Sequence, residues 1–312
     1  MTTALITHPA CLSHDPGAGH PESPERLRAV LEALDDPAFQ SLVRLEAPKL
    51  EAGFLSKAHA PSLIEAILGP LNEQARSEGW ASVDPDTSMS PGSAEAALRA
   101  VGAACLGVDE VAVGNISNAF CAVRPPGHHA ERHRAMGFCL FNNVAVGAYR
   151  ARELGFGRVA IVDFDVHHGN GTQDIFWNDT DALYISTHQM PLYPGTGRRI
   201  ERGAVGNIVN IPLPPGAGGA ELRAAFEAQA IPALEQFRAD FLFISAGFDA
   251  HLSDPLANLA FTEADFAWAT RALCEYASRA CGGRVVSTLE GGYDLAALAR
   301  SASAHVRVLM EF

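Results

Sequence analysis

The segment Asp163–Gly171, DFDVHHGNG, places carboxylate and imidazole groups close together at the end of an apolar run. Asp165 and His167 are two positions apart, and side chains with this spacing point to the same face where a strand ends. One carboxylate and one imidazole can therefore bind the same ion, and a third ligand would give the open coordination of a catalytic zinc site. The pair alone would also fit a charged strand end without a metal. Burial of Asp163 and Asp165 beside apolar residues favours the metal site, because an unpaired buried charge is costly.

The third ligand is expected in the segment Ala246–His251, AGFDAH, which also follows an apolar run. Asp249 and His251 are both suitable, and an aspartate in such a loop is also a common turn former. These residues alone leave the choice open.

Two adjacent histidines, His128 and His129, follow Pro-Pro-Gly in the segment Arg124–Glu131. Such a pair can divide the proton transfers of a hydrolysis, since one imidazole accepts the proton of the attacking water and the other protonates the leaving amine. Asp163 and Asn170 are suitable partners to orient the two rings. Surface histidines or a metal-binding pair are the alternatives. The acid–base interpretation is favoured over a metal-binding pair because adjacent residues chelate one ion poorly.

Tyr293 follows two glycines, Gly291 and Gly292, in the segment Glu290–Asp294, EGGYD. The glycines would let the phenol turn toward a cleft, where its O–H can donate to a developing oxyanion. In isolation, an ordinary turn tyrosine is the simpler interpretation.

Gly137 and Phe138 come soon after the histidine pair, in the segment Met136–Asn143, MGFCLFNN. An aromatic ring there could line a slot for a linear aliphatic chain. Core packing at the start of a helix is the competing interpretation.

Short apolar runs alternate with stretches of helical periodicity along the chain. Continuous apolar strands that alternate with helices indicate an α/β fold with a mostly parallel sheet covered on both faces. We expect one domain over residues 1–312. The predicted strands are Thr3–Thr7, Ala119–Val123, Arg158–Phe164, Ala182–Thr187, Ile208–Ile211, Phe241–Ser245 and Arg284–Leu289, and the clearest predicted helices are Glu25–Leu34, Ser93–Leu106, Asn143–Leu154, Gly219–Phe237 and Glu263–Ala280.

Four of these strands end in the polar, glycine-rich segments described above. The carboxyl ends of parallel strands lie on one edge of the sheet, where open α/β folds bind their ligands. Groups that are distant in sequence are therefore expected to meet in one cleft. Loops at Ser13–Ser23, Leu71–Met89 and Met190–Gly206 are predicted on the surface, the first two at the rim of the site.

The bulk composition narrows the class of partner. A formal net charge of -13 argues against nucleic acid and anionic membranes as partners. The six cysteines include no C-x-x-C pair, which disfavours a thiolate metal site and suggests reduced thiols. With no recognisable signal peptide and no apolar run near the ~20 residues of a membrane span, a cytoplasmic protein is expected.

Together these segments resemble the arginase/deacetylase superfamily, and within it the histone deacetylases and their bacterial relatives. The resemblance rests on RPPGHHA, GFC-x-FNN, D-x-D-x-HHGNGT, PGTG, SAGFDAH with DPL, and LEGGYD in this order. It implies an open, mostly parallel sheet of eight strands, and it is weakest over roughly residues 34–82.

The resemblance implies a role for each site residue. Zinc would be bound by Asp165, His167 and Asp249, with Asp249 preferred over His251. His128 would pair with Asp163 and His129 with Asn170, an asparagine that resembles the class II enzymes. Tyr293 matches the catalytic tyrosine, Phe138 and Tyr193 match the aromatic walls of an acyl-lysine tunnel, and Leu256 matches a residue at the tunnel mouth.

The resemblance also implies a potassium ion beside the zinc. Its ligands would include Asp163, Asp165, His167, Ser186 and Thr187, many of them through backbone carbonyls. A second potassium site would involve Phe176, Asp179 and Asn207, and Arg26 would lie near an internal channel for the acetate product.

The expected function is that of a zinc-dependent amidohydrolase that removes acetyl or other acyl groups from N-ε-acyl-lysine or similar linear amines and releases acetate. Hydrolysis of acetylpolyamines or other small amides is the alternative, although Leu256 offers no charge to attract a second ammonium group. A catalytically inactive acyl-lysine binding module is disfavoured because all the catalytic groups are present, and a binuclear manganese site would need more aspartates. Related bacterial enzymes suggest a homodimer or homotetramer.

Overall fold

The computed structural model describes residues 2–312 and is built around one eight-stranded sheet in which every pair of neighbouring strands is parallel. The spatial order of the strands is β2-β1-β5-β10-β9-β6-β7-β8, and β3 and β4 form a separate antiparallel pair. The strands are β1 (Thr3–Thr7), β2 (Val43–Glu46), β3 (Ala81–Ser82), β4 (Ser88–Met89), β5 (Asn118–Cys121), β6 (Val159–Asp163), β7 (Ala182–Gln189), β8 (Ile208–Leu213), β9 (Phe241–Ala246) and β10 (Val285–Leu289).

Helices connect the strands, and their apolar faces bury the sheet. In the central strands β5, β6, β9 and β10 every residue is buried, as expected for a parallel sheet with both faces covered. The α-helices are α1 (Pro24–Ala33), α2 (Pro61–Leu68), α3 (Pro70–Glu78), α4 (Ser93–Ala112), α5 (Asn143–Glu153), α6 (Asn170–Phe176), α7 (Gly219–Ala225), α8 (Ile231–Phe237), α9 (Glu263–Ala280) and α10 (Leu295–Leu309).

The structure confirms the predicted α/β fold with its open sheet of eight strands, and all seven predicted strands are present within a few residues of the predicted bounds. The predicted helix Gly219–Phe237 is interrupted by a π-helical turn at Phe226–Ala230. Pro232 stands at the start of the following helix, and because proline has no N–H it cannot continue the regular hydrogen-bond pattern.

Two segments differ from the sequence-based expectation. The edge strand β2 was not predicted, because its sequence, VRLE, is short, charged and largely exposed. The predicted loop Leu71–Met89 instead contains most of helix α3 and the hairpin of β3 and β4. The other two predicted loops, Ser13–Ser23 and Met190–Gly206, contain neither helix nor strand.

The four strands that lead into the glycine-rich polar segments, β5, β10, β9 and β6, are consecutive neighbours in the middle of the sheet. Their carboxyl ends therefore bring these segments together at one edge, as the sequence predicted. Within residues 2–312, no helix has the length and apolar character needed to span a membrane.

Candidate metal centre and active site

A buried three-residue cluster lies at the carboxyl edge of β6 and β9. Asp165, His167 and Asp249 each direct a ligand atom into it, and these atoms all lie within 4.8 Å of one another. Nδ1 of His167 lies 3.2 Å from Asp165 Oδ1 and 3.1 Å from Asp249 Oδ2. Two carboxylates and one imidazole are a donor set that could hold a metal ion such as zinc.

His251, the alternative third ligand, lies outside this cluster. Its Nδ1 accepts a hydrogen bond from the backbone N–H of Ser253 at 3.0 Å, so it stabilises a turn. The side chain of Asp249, two residues earlier, is the one directed to the cluster.

Backbone groups fix the two carboxylates of the cluster. The N–H of Val166 donates to Asp249 Oδ1 at 2.8 Å, and the N–H of Gly291 donates to Asp165 Oδ2 at 2.8 Å. The close approach of residue 291 to these carboxylates requires glycine, since a Cβ at this position would lie 2.1 Å from Asp249 Oδ2. Gly291 thus lets the loop after β10 pack directly on the metal ligands.

The electrostatics of the cluster favour a bound cation. Burial, and then the negative charge of Asp165, raise the pKa of Asp249 to about 7. Both carboxylates are almost fully buried. Two buried carboxylates this close together need a positive charge between them, which a divalent metal ion held by Asp165, His167 and Asp249 would supply.

His129 lies beside this cluster, and a hydrogen-bonded chain fixes its orientation. Its Nδ1 lies 2.7 Å from Asn170 Oδ1, while Asn170 Nδ2 donates to Glu131 Oε1 at 2.7 Å. Burial, and then the neighbouring His128 and His167, hold the pKa of His129 well below its usual range. The ring is therefore neutral, with Nδ1 protonated and Nε2 free to accept a proton.

His128 has a different environment, because its partners are carboxylates. Its Nδ1–H donates to Asp163 Oδ2 at 3.0 Å, and its Nε2 lies 3.8 Å from Asp165 Oδ1. Burial opposes the charged form of His128, but Asp165 and Asp163 outweigh this effect and hold its pKa well above the usual range. The Tyr184 hydroxyl also donates to Asp163 Oδ2, at 2.9 Å. His128 thus favours the protonated form, whereas the adjacent His129 favours the neutral form.

Tyr293 lies on the same side of the sheet, in a loop whose backbone is held from several directions. Arg26 Nε donates to the carbonyl of Gly292 at 2.6 Å, and its guanidinium lies 4.9 Å from the centre of the Tyr293 ring. Gly292 has a φ of 127°, a conformation that favours glycine. Burial raises the pKa of the Tyr293 hydroxyl well above its usual range, so the group stays protonated and can donate a hydrogen bond.

A narrow cavity of about 210 Å³ leads from the surface to these groups. The ring centres of Phe138 and Tyr293 are 6.0 Å apart, and those of Tyr193 and His129 are 5.2 Å apart. Tyr193 and Leu256 are 38% and 37% exposed, which places them at the opening. The cavity is lined by Asp86, His129, Gly137, Phe138, His167, Leu192, Tyr193, Leu256 and Tyr293.

Of the residues expected to bind potassium, Asp163 ends β6 and Ser186 and Thr187 lie on β7, next to the cluster that contains Asp165 and His167. Asp163 pairs with Ser186 in the register of these strands, and the Ser186 hydroxyl is hydrogen-bonded to His188 Nδ1 at 2.8 Å. The Thr187 hydroxyl is buried and has no hydrogen-bond partner within residues 2–312. At the expected second site, Asn207 Nδ2 donates to the carbonyls of Phe176 and Asp179.

Three buried or half-buried carboxylates at this edge were not identified from the sequence. Asp86 lines the cavity and accepts the N–H of Gly137 at 3.2 Å. Glu290 accepts the N–H groups of Gly127 and His128 at 2.7 and 3.1 Å. Asp254 accepts the N–H of Tyr293 at 2.7 Å. The acidic residues of the DPDT, LEGG and DPL segments were visible in the sequence, but their partners are distant along the chain.

Comparison with known proteins agrees with this geometry. Residues 20–309 match the family model of the histone deacetylase domain. A probable deacetylase of Archaeoglobus fulgidus is 38% identical over 95% of this chain and 82% of the relative. The chloroplastic histone deacetylase 14 of Arabidopsis thaliana is 36% identical over 96% of this chain and 75% of the relative. The crystal structure of the HDA15 HD domain superposes with a TM-score of 0.93 at 36% identity, covering 99% of this chain and 88% of that one.

The chain has an open parallel α/β sheet with a buried Asp-His-Asp cluster, a candidate metal centre, at its carboxyl edge. The chain belongs to the histone deacetylase family. The family predicted from the sequence is therefore confirmed.

Proposed function

We propose that this protein is a zinc-dependent amidohydrolase that removes acetyl or other acyl groups from the side chain of acyl-lysine or a similar linear amine, releasing acetate or the corresponding carboxylate. One observation carries the proposal. His167 of the cluster, His129 of the histidine pair and Tyr293 line one cavity together with the aromatic rings of Phe138 and Tyr193. Such a cavity fits a thin aliphatic chain that ends in an amide.

The three cluster residues would hold the zinc ion. When bound, zinc supplies Lewis acidity toward an acyl carbonyl and lowers the pKa of a water molecule toward ~7. A potassium ion held near Asp163, Ser186 and Thr187 is part of the proposal and would balance the charge of the buried carboxylates.

The histidine pair moves the protons of the reaction. His129 Nε2 accepts a proton from the attacking water, because the bond to Asn170 keeps its Nδ1 protonated. His128, held by Asp163, favours the cationic form and stabilises the negative charge that develops nearby. A protonated imidazole then donates its proton to the departing amine nitrogen, so that water and amide become carboxylate and amine.

Tyr293 stabilises the developing oxyanion, since its hydroxyl stays protonated and its side chain lines the cavity. Phe138 and Tyr193 flank the aliphatic chain and exclude water from it. Gly137, between the histidine pair and Phe138, lets the cavity wall approach His129: a Cβ there would lie 2.5 Å from its ring. These residues orient the amide for attack.

Hydrolysis of acetylpolyamines is the second candidate, and Asp86 is the observation that favours it. This half-buried carboxylate lines the cavity and could attract a second ammonium group. Leu256 at the opening offers no such attraction, which favours acyl-lysine.

A side-by-side comparison of rates on an acetyl-lysine peptide and on acetylated polyamines tests the substrate class. A hydroxamate inhibitor and the measured zinc content serve as controls. We expect hydroxamate-sensitive release of acetate, with the peptide as the preferred substrate. A preference for polyamines would retain the metal chemistry and replace the substrate class, whereas turnover of neither substrate would contradict the proposed activity.

A further inference from the structure

The segment between β9 and α9 contains a buried carboxylate that contacts both the tyrosine loop and the cavity opening. Asp254 is only 8% exposed. Its Oδ2 accepts the N–H of Tyr293 at 2.7 Å, and its Oδ1 accepts the N–H of Leu256 at 3.0 Å. The two oxygens of one side chain therefore connect the proposed oxyanion donor with the residue at the opening.

The partners of Asp254 are backbone groups. Within residues 2–312, no lysine, arginine or histidine forms an ion pair with it, and both of its oxygens accept N–H groups. Burial of a carboxylate without a paired cation is costly, and these hydrogen bonds offset the cost. Because breaking them is unfavourable, they hold the two N–H groups in place.

The position of Tyr293 needs such a constraint. The two preceding residues, Gly291 and Gly292, are glycines, which restrict the backbone least of all residues. The N–H of Phe248 donates to the carbonyl of Gly291, and Arg26 Nε donates to the carbonyl of Gly292. The N–H of Tyr293 itself donates to Asp254. Removal of this acceptor would let the backbone turn at the glycines and carry the phenol with it.

We infer that Asp254 is a positioning residue that holds the Tyr293 hydroxyl in place for oxyanion stabilisation and couples it to the loop at the cavity opening. The inference rests on the proposed function. Asp254 does not reach the reacting atoms and acts through Tyr293.

Substitution Asp254→Asn tests this coupling, because an amide has one acceptor oxygen and presents an NH₂ group to the second N–H. We expect kcat on an acetyl-lysine peptide to fall at least about tenfold with little change in KM, since small displacements of catalytic groups are costly. In a Tyr293→Phe background, the same substitution should reduce kcat by less than about twofold, because the group that it positions is already absent.

The control is Asp265→Asn on α9, a buried aspartate that also pairs with Arg223. Asp265 is 7% exposed and also accepts a backbone N–H, that of Thr262 at 2.9 Å, but it lies at a helix start away from the cavity. This substitution should lower the free energy of unfolding. Its effect on kcat should be the same in the wild-type and Tyr293→Phe backgrounds. If Asp254→Asn does not fold, Asp254→Ser takes its place in the same comparison.

Hydrogen exchange of the metal-loaded protein gives a readout that does not require turnover. Asp254→Asn should accelerate exchange in the segment 290–294, whereas Asp265→Asn should not. An equal loss of kcat in both Tyr293 backgrounds, or unchanged exchange in that segment, would overturn the inference. If the wild-type protein cleaves no acyl-lysine, the proposed function fails, and the exchange comparison still decides the role of Asp254.

Discussion

His129 Nδ1 lies 2.7 Å from the side-chain oxygen of Asn170. The orientation of the amide is fixed because its nitrogen donates to Glu131 Oε1. An amide oxygen can only accept, so the imidazole must carry its proton on Nδ1 and present an unprotonated Nε2 to the metal cluster. Its neighbour His128 is paired with a carboxylate instead, which gives the two adjacent rings different proton affinities.

Substitution Asn170→Asp should therefore shift the pH dependence of the reaction. A carboxylate beside Nδ1 favours the charged imidazole and raises the pKa of His129, which burial and the nearby histidines now hold low. Because the base must be neutral, the acid limb of the kcat/KM profile should move to higher pH. The measurement is a pH–rate profile of both proteins at equal zinc content, and an unshifted limb would show that His129 is not the base.

Substitution Tyr293→Phe should reduce kcat and leave KM nearly unchanged. The hydroxyl contributes only when negative charge develops on the acyl oxygen, and loss of one such donor costs roughly a hundredfold or more. Steady-state kinetics on an acetyl-lysine peptide measures this, with hydroxamate affinity as a check of the cavity. Full activity of the variant would rule out the proposed role of Tyr293.

Glu290 should stabilise the fold through the hydrogen bonds that it accepts more than through its negative charge. Its carboxylate accepts the N–H groups of Gly127 and His128 and the hydroxyl of Ser245, and burial raises its pKa to about 7. Glu290→Ala leaves these buried donors without an acceptor, at a cost of about 1–3 kcal/mol each. Glu290→Gln keeps an acceptor oxygen and should cost less than about 1 kcal/mol.

Urea unfolding of the metal-loaded proteins compares the two variants of Glu290. The expected order of the free energy of unfolding is wild type, then Glu290→Gln, then Glu290→Ala well below both. Equal destabilisation by both substitutions would mean that the negative charge itself is required.

Much of the fold could be predicted from the sequence because the central strands are continuous apolar runs with clear ends. Asp165 and His167 could be predicted at the sheet edge for the same reason, since they come just after such a run, whereas only the resemblance favoured Asp249 over His251. The edge strand β2 escaped prediction because it has only four residues, two of them charged and three of them exposed.

Other parts of the site depend on contacts between distant segments. The residues alone left Asp249 and His251 as alternatives, since the direction of each side chain is set by the packing of the loop. Asp86, Glu290 and Asp254 accept hydrogen bonds from residues far away in the chain, and no local pattern reveals this. The single domain, the cytoplasmic location and the dimeric or tetrameric state stay predictions.

Acid should destabilise the protein in part through His59. This buried ring uses both nitrogens, with Nδ1 near the Glu131 carbonyl and Nε2 accepting the N–H of Asn142, and burial lowers its pKa to about 4. In the unfolded chain His59 binds a proton below pH ~6.5, whereas in the folded chain it stays neutral until the pH approaches about 4. The free energy of unfolding therefore falls as the pH drops from ~6.5 toward about 4.

Between pH 7 and 5.5 this histidine should contribute about 1 kcal/mol to the loss of stability. His59→Gln should be less stable than the wild type at neutral pH but should lose correspondingly less on acidification. Urea unfolding at the two pH values measures the difference, and an identical pH dependence in the variant would exclude this contribution.

The metal dependence of acetate release tests the central claim most directly. The protein is depleted of metal with a chelator, assayed on an acetyl-lysine peptide, and then titrated with zinc alongside Asp249→Ala. We expect activity to fall to background on depletion and to return at one molar equivalent of zinc in the wild type, while the variant binds little zinc and stays inactive. Undiminished activity in the metal-depleted protein, or equal recovery in Asp249→Ala, would contradict the assignment of Asp165, His167 and Asp249 as the catalytic metal site.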